Sequence, residues 1–145
     1  MFIQEFEGSE LRDAFSFVRT QLKERLDDPA LREEIRGAIQ DRPKHPEMAV
    51  LNFFDLWGGH YRSGAVNRVW FMRHNAGVVL GFWALLEPVV ALTLAPDGSN
   101  IAFEQFEYLA VKAQEWIAAH PAGDYPRGER RLPIADPWKD LDGKQ

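Results

Sequence analysis

The segment richest in chemically useful side chains is WGGHYRSG, residues 57–64. It presents an imidazole, a phenol and a guanidinium at His60, Tyr61 and Arg62, beside two glycines that predict a flexible loop. A histidine can act as a general base and an arginine can bind an anion, so this loop is a candidate site of a small enzyme or ligand-binding domain. The competing interpretation is that the glycines end a helix and the polar side chains are solvated.

Neighbouring segments contribute further candidates for a catalytic or ligand-binding site. Asp55 and His74 could supply a second acid or base beside His60. Arg73 offers a second anion contact, and Trp70 offers an aromatic platform for a ligand. Residue type alone does not choose among them, so each stays a prediction.

The histidines do not have the spacing of a metal site. They stand at positions 45, 60, 74 and 120, and none has another histidine four residues away on the same helical face. Cysteine is absent, which excludes thiolate ligands, cysteine nucleophiles and disulfides from this chain. The sequence also contains no Rossmann fingerprint, no phosphate-binding loop with lysine and no nucleophile elbow. We therefore predict neither a metal nor a cofactor.

Charge and aromatic content favour a protein partner. The net charge of −5 disfavours phosphate backbones and anionic lipids, so we expect no nucleic-acid partner. Trp138, Tyr125 and Arg130 lie in the C-terminal segment and are the candidate partner-binding residues, because tryptophan, tyrosine and arginine are frequent interface hot spots. Trp138 can either anchor a partner or dock this segment onto its own domain, and we favour self-docking.

These features favour a small acidic protein-interaction module, with the general profile of bacterial immunity proteins or antitoxins. An enzyme or ligand-binding domain built on His60, Tyr61 and Arg62 is the alternative. The segment that starts at Met1 has neither the basic nor the long apolar stretch of a secretory signal, so we expect a cytoplasmic protein. Self-association of the chain stays open.

Apolar spacing indicates the helices that must position these residues. Charges are sparse between residues 48 and 100, with three acids and three bases, so this segment should form the core and the flanks should cover it. Apolar residues recur every three or four positions in four segments, which predicts helices at 11–26, 29–39, 46–57 and 100–120. Gly58 and Gly59 are expected to end the third of these helices.

The segment between residues 66 and 95 has two interpretations. Its β-branched and aromatic residues, with a turn signal at Asn75-Ala76-Gly77, predict strands at 67–74, 78–86 and 89–94. With an edge strand near residues 2–6, these strands would form an antiparallel sheet. The expected fold class is therefore α+β, with a sheet of three to four strands packed against three to four helices.

Interpreted as a helix, residues 76–95 are about long enough to span a bilayer, which needs about 20 apolar residues. Glu87 and Pro88 interrupt the apolar run, which makes a membrane-associated protein the less favoured alternative. Prolines and glycines then become frequent near the C-terminus. We predict one globular domain over residues 1–120 and an extended tail over residues 121–145.

Overall fold

Every regular element in the described part of the chain is a helix. A computed structural model describes residues 9–37 and 45–142. The elements are α1 (Ser9–Thr20), α2 (Leu22–Arg25), α3 (Pro29–Arg36), α4 (Pro46–Ser63), α5 (Arg68–Leu92), α6 (Glu104–Ala119) and α7 (Lys139–Asp142). The predicted α+β fold with an antiparallel sheet is therefore wrong. The predicted edge strand near residues 2–6 lies outside the described residues.

The helices predicted from apolar spacing are present with changed bounds: the predicted helix 11–26 is divided into α1 and α2, and α6 begins at Glu104. Residues 38 and 39 of the predicted second helix lie outside the described residues. Two predicted boundaries are confirmed. The α3 helix begins at Pro29, because the Asp28 side chain caps it by accepting a hydrogen bond from the Ala30 backbone N–H at 2.9 Å. The α6 helix ends at Ala119, directly before the predicted stop at His120. Local capping chemistry was sufficient to predict these ends.

The α4 helix continues past the predicted stop at Gly58 and Gly59 and ends at Ser63. Its C-cap is Gly64, where φ is 83° and the backbone N–H donates to the Tyr61 carbonyl at 3.3 Å. Glycine adopts this left-handed conformation without the steric cost that other residues incur. The predicted site loop is therefore the last two turns of a helix.

The three strands predicted between residues 67 and 94 are one helix, α5. Asn67 caps it, since its Oδ1 accepts a hydrogen bond from the Trp70 backbone N–H at 2.8 Å. A helix satisfies its own backbone groups, whereas the predicted strands would need neighbours for theirs. Burial on one side of a helix outweighed the β propensity of this segment. The buried residues recur at helical spacing: Phe71, Met72, Asn75, Ala76, Val79, Phe82, Leu86, Val89 and Val90.

Phe54 on α4 lies at the centre of the core and is fully buried. Its ring stacks on Phe106 of α6 with centroids 4.8 Å apart. It also contacts Phe82 of α5 at 5.3 Å and Phe15 of α1 at 5.9 Å. One side chain thus joins four helices, and aromatic pairs in these geometries add to the energy of burial.

The backbones of α4 and α6 come into direct contact at Gly58. A Cβ atom at this position would lie 2.1 Å from the carbonyl oxygen of Gln105 and 2.6 Å from its carbonyl carbon. At the adjacent Gly59, a Cβ atom would have nothing within 4 Å. The close approach of the two helices therefore requires the missing side chain at Gly58 but not the one at Gly59.

We expect Gly58→Ala to lower the free energy of unfolding by about 3 kcal/mol, because the two backbones must separate to admit the methyl group. Gly59→Ala is the matched control on the same helix, and it should leave stability unchanged or raise it by up to about 1 kcal/mol. Urea unfolding followed by circular dichroism measures both variants. Equal stability of the two would contradict the close contact.

Candidate functional site

The three side chains predicted to form a site do not converge. His60, Tyr61 and Arg62 occupy consecutive positions of α4, and successive positions of a helix differ by about 100° in direction. The His60 ring meets the Trp57 ring edge to face at 5.5 Å, whereas Arg62 Nη1 donates to Gln105 Oε1 at 3.5 Å. The predicted base and the predicted anion contact therefore lie apart.

Asp55 caps the N-terminus of α6. Its Oδ1 accepts hydrogen bonds from the backbone N–H groups of Gln105 and Phe106, each at 3.0 Å. The N-cap residue of α6, Phe103, has no capping side chain, so an acid on another helix fills this role. Burial raises the pKa of Asp55 above its ordinary value of 3.8, although the two backbone hydrogen bonds act in the opposite direction.

His74 and Arg73 lie on the exposed side of α5. The His74 ring is 5.0 Å from the Trp70 ring, so these two candidates do come together. Arg73 Nε donates to Asp124 Oδ2 at 2.5 Å, and this hydrogen bond lowers the pKa of Asp124. Arg73 is thus bound to the segment that follows α6.

Tyr61, one of the three predicted site residues, lines a cleft of substantial size. The cleft has a volume of about 390 Å³ and lies between the end of α4, the start of α5 and the second half of α6. Its lining includes Tyr61, Arg68, Tyr108, Lys112, Trp116 and His120. Burial raises the pKa of the Tyr61 hydroxyl, so this group is a hydrogen-bond donor at neutral pH.

The cations of this cleft have protein partners. Arg68 Nε donates to the Tyr61 carbonyl at 2.9 Å, and Arg68 Nη2 donates to the Arg62 carbonyl at 2.7 Å. Arg68 thereby satisfies carbonyls at the C-terminus of α4. Lys112 Nζ lies 3.1 Å from Glu115 Oε1. Both cations are therefore engaged within the protein.

A polar cluster that the sequence analysis missed joins exposed Glu34 of α3 to buried His45 and Glu47 at the start of α4. His45 is only 4% exposed, with Nδ1 3.2 Å from Glu47 Oε2 and Nε2 3.0 Å from Glu34 Oε1. The carboxylates face different ring nitrogens, and no group of metal-ligating side chains is present among the described residues. His45 is the one histidine with an acid two positions away, which was the available signal.

The residues after α6 form an arm, defined here as residues 121–142, all of which are exposed. Ile134 is 92% exposed and Trp138 is 60% exposed. Leu132 and Leu141 are exposed as well. The expectation that Trp138 docks onto its own domain is therefore wrong.

The root of the arm is fixed to the helices. The His120 ring stacks on the Trp116 ring with centroids 4.0 Å apart, and His120 Nδ1 lies 2.8 Å from the Trp116 carbonyl oxygen. Four residues later, Asp124 pairs with Arg73 of α5. The arm therefore leaves the helices at a defined place.

Two predicted partner-binding residues contact each other in the arm. The Tyr125 hydroxyl donates to the Arg130 carbonyl at 2.6 Å, and the Arg131 guanidinium lies 4.0 Å from the centre of the Tyr125 ring. A further hydrogen bond from the Glu129 N–H to the Pro126 carbonyl, at 3.2 Å, closes the turn between them. These contacts give the first half of the arm a definite shape.

No protein-family model, curated protein or solved structure matches this chain. Its function must therefore be inferred from the arm, the cleft and the exposed side of α5.

We expect Asp55 to affect stability in a pH-dependent manner. A carboxyl whose pKa is raised by folding stabilises the protein below pH 3.8, and this contribution is lost as pH rises through the folded-state pKa. The unfolding free energy of the wild type minus that of Asp55→Asn should fall as pH is raised from about 3 to about 7. A rise in that difference would contradict the assignment.

Asp55→Ala, which removes the cap of α6, should lower the free energy of unfolding by about 1–2 kcal/mol.

Proposed function

We propose that this protein is an interaction module that binds another protein through its arm. The observation that carries the proposal is the exposure of Ile134 and Trp138, on a segment whose root and first turn are fixed. Burial of a large apolar side chain contributes about 1.5–3 kcal/mol, and the free chain does not obtain this energy in the arm. A groove on a partner would supply it.

The sequence of the arm fits binding as an extended segment. Pro133 and Pro137 fix their own φ angles and favour extended conformations in the residues before them, so less conformational entropy is lost on binding. Arg130 and Arg131 precede Ile134, and Asp136, Asp140 and Asp142 lie around Trp138 together with Lys139. The complementary partner has an apolar groove with acidic residues at the end that meets Arg130 and Arg131.

The immunity-like or antitoxin-like class stays a prediction from composition. If the protein belonged to this class, its partner would be one specific protein, and the arm would neutralise that protein by tight binding. The structural argument is broader, since any partner with the complementary groove satisfies it.

Binding of a small molecule in the cleft is the second candidate function. A volume of about 390 Å³ falls within the range of small-molecule sites. Tyr61, Tyr108 and Trp116 provide aromatic walls and hydrogen-bond donors. A ligand of this site would raise the melting temperature in proportion to RT ln(1 + [L]/Kd), and substitutions in the arm would leave that shift unchanged.

The arm is tested with the full chain, tagged at its N-terminus and incubated with lysate of the source organism. We expect the double variant Ile134→Ser/Trp138→Ala to reduce recovery of a stoichiometric partner by about tenfold or more, because hot-spot residues carry most of an interface's energy. Ile101→Ser is the matched control, since Ile101 is 66% exposed but lies outside the arm. Equal recovery with both variants would refute the proposal.

A further inference from the structure

The cleft between α4, α5 and α6 combines two phenols with two cations. The Tyr61 and Tyr108 rings have their centroids 6.3 Å apart. The Arg68 guanidinium lies 5.7 Å from the centre of the Tyr61 ring, and Lys112 Nζ lies 5.6 Å from the centre of the Tyr108 ring. The four side chains therefore form one chain of contacts, from cation to ring to ring to cation.

The Tyr61 hydroxyl is directed into this cleft. The charged groups that act electrostatically on it are Arg68, Lys112 and Glu115, and all three line the cleft. Although Tyr61 is only 7% exposed, its hydroxyl is not among the polar atoms sealed from solvent in the described part of the chain. None of the described residues accepts a hydrogen bond from it. The hydroxyl is therefore a donor that a bound molecule can use.

Both cations keep donors that the protein does not use. Arg68 donates through Nε and Nη2 to carbonyls of α4, so the two hydrogens of Nη1 have no acceptor among the described residues. Lys112 gives one of its three ammonium hydrogens to Glu115, whose side chain is 61% exposed. An exposed ion pair of this kind contributes about 1 kcal/mol or less, so a ligand can compete with Glu115 for Lys112.

The balance of these groups favours an anion. Two fixed positive charges, on Arg68 and Lys112, face one carboxylate, Glu115, among the described residues of the lining. This positive excess is local, since the whole chain has a net charge of −5. Carboxylate oxygens only accept hydrogen bonds, so they match a site whose free groups are mainly donors.

The same cleft offers aromatic surface beside these donors. The Trp116 ring stacks on the His120 ring with centroids 4.0 Å apart, and both rings line the cleft. Trp116 is half-buried, so part of its indole stays open. Aromatic walls bind a planar ring by offset stacking or by edge-to-face contact.

We propose that this cleft binds a small aromatic carboxylate. Arg68, Lys112 and the Tyr61 hydroxyl hold the carboxylate, and the ring of the ligand lies against Tyr108 and Trp116. The inference names the ligand class of the second candidate function and rests on that function. It is independent of partner binding by the arm.

Two matched sets of probes test the charge of the ligand. Phenylacetate, phenylacetamide and phenethylamine share one ring, and indoleacetate, indoleacetamide and tryptamine share another, while the charge changes from negative to neutral to positive. Titration of the isotope-labelled full chain, followed by two-dimensional NMR, gives each Kd and the place of binding. We expect the acids to bind with a Kd of about 1 mM, at least about tenfold more tightly than the amides and amines. The backbone signals that shift should be those of the cleft residues on α4, α5 and α6.

The possible results separate this inference from the function on which it rests. An amide or amine that binds in the cleft as tightly as its acid would overturn the inference and leave small-molecule binding as a function. Signals that shift only outside the cleft, or no shift with any probe at about 10 mM, would overturn the inference and the candidate function together.

Substitutions at the Lys112–Glu115 pair test which charges hold the carboxylate. Lys112→Gln should weaken binding of phenylacetate by about fivefold, because it removes a positive charge beside the carboxylate. Glu115→Gln should instead tighten binding by about threefold, because it removes a repulsive charge and releases Lys112. Lys23→Gln removes an exposed charge on α2, outside the cleft, and should bind like the wild type. Unchanged binding by Lys112→Gln, or weaker binding by Glu115→Gln, would overturn the inference.

Tyr61→Phe tests the hydroxyl without removing the ring. The free energy of unfolding should not fall, because the hydroxyl has no partner among the described residues. Binding of phenylacetate should nevertheless weaken by about threefold or more, since one hydrogen bond to the carboxylate is lost. Tyr125→Phe makes the same change in the arm and should bind phenylacetate like the wild type. Equal affinity of Tyr61→Phe and the wild type would overturn the inference.

Discussion

The α4 and α6 backbones are in contact at Gly58, and the positions of the other helices depend on this contact. Because the helices are so close there, the Asp55 carboxylate reaches the backbone N–H groups of Gln105 and Phe106 and caps α6. The same approach stacks Phe54 on Phe106. The helices α1 and α5 then complete the core by adding one aromatic ring each to Phe54.

Many of the side chains that could have carried chemistry are used to hold this arrangement together. Asp55 caps a helix, Arg68 satisfies carbonyls at the end of α4, and Arg73 fixes the root of the arm. Apolar side chains, in contrast, are exposed in two places, on the arm and on the outer side of α5. We therefore propose that the protein acts by binding through its exposed apolar surfaces. Most of the polar side chains considered above stabilise the fold.

Part of the fold and little of the candidate site could be predicted. Spacing of apolar residues was sufficient for α1, α3 and α6, whose polar and apolar sides are distinct. It failed for α5, because a run that is apolar on all sides has no period to distinguish a helix from strands. The predicted loop at residues 57–64 is wrong for a related reason, since Gly58 and Gly59 lie within α4, where neighbours in sequence point in different directions.

The sequence by itself determined the amphipathic helices α1, α3 and α6 and the cap at Asp28, because these depend on residues within a few positions of one another. Only the tertiary structure decided that Gly58 is a contact point, that Asp55 caps a helix fifty residues later, and that the predicted strands are one helix with a side turned away from the core. These features depend on which helices meet, and a contact between distant segments leaves no local pattern in the chain.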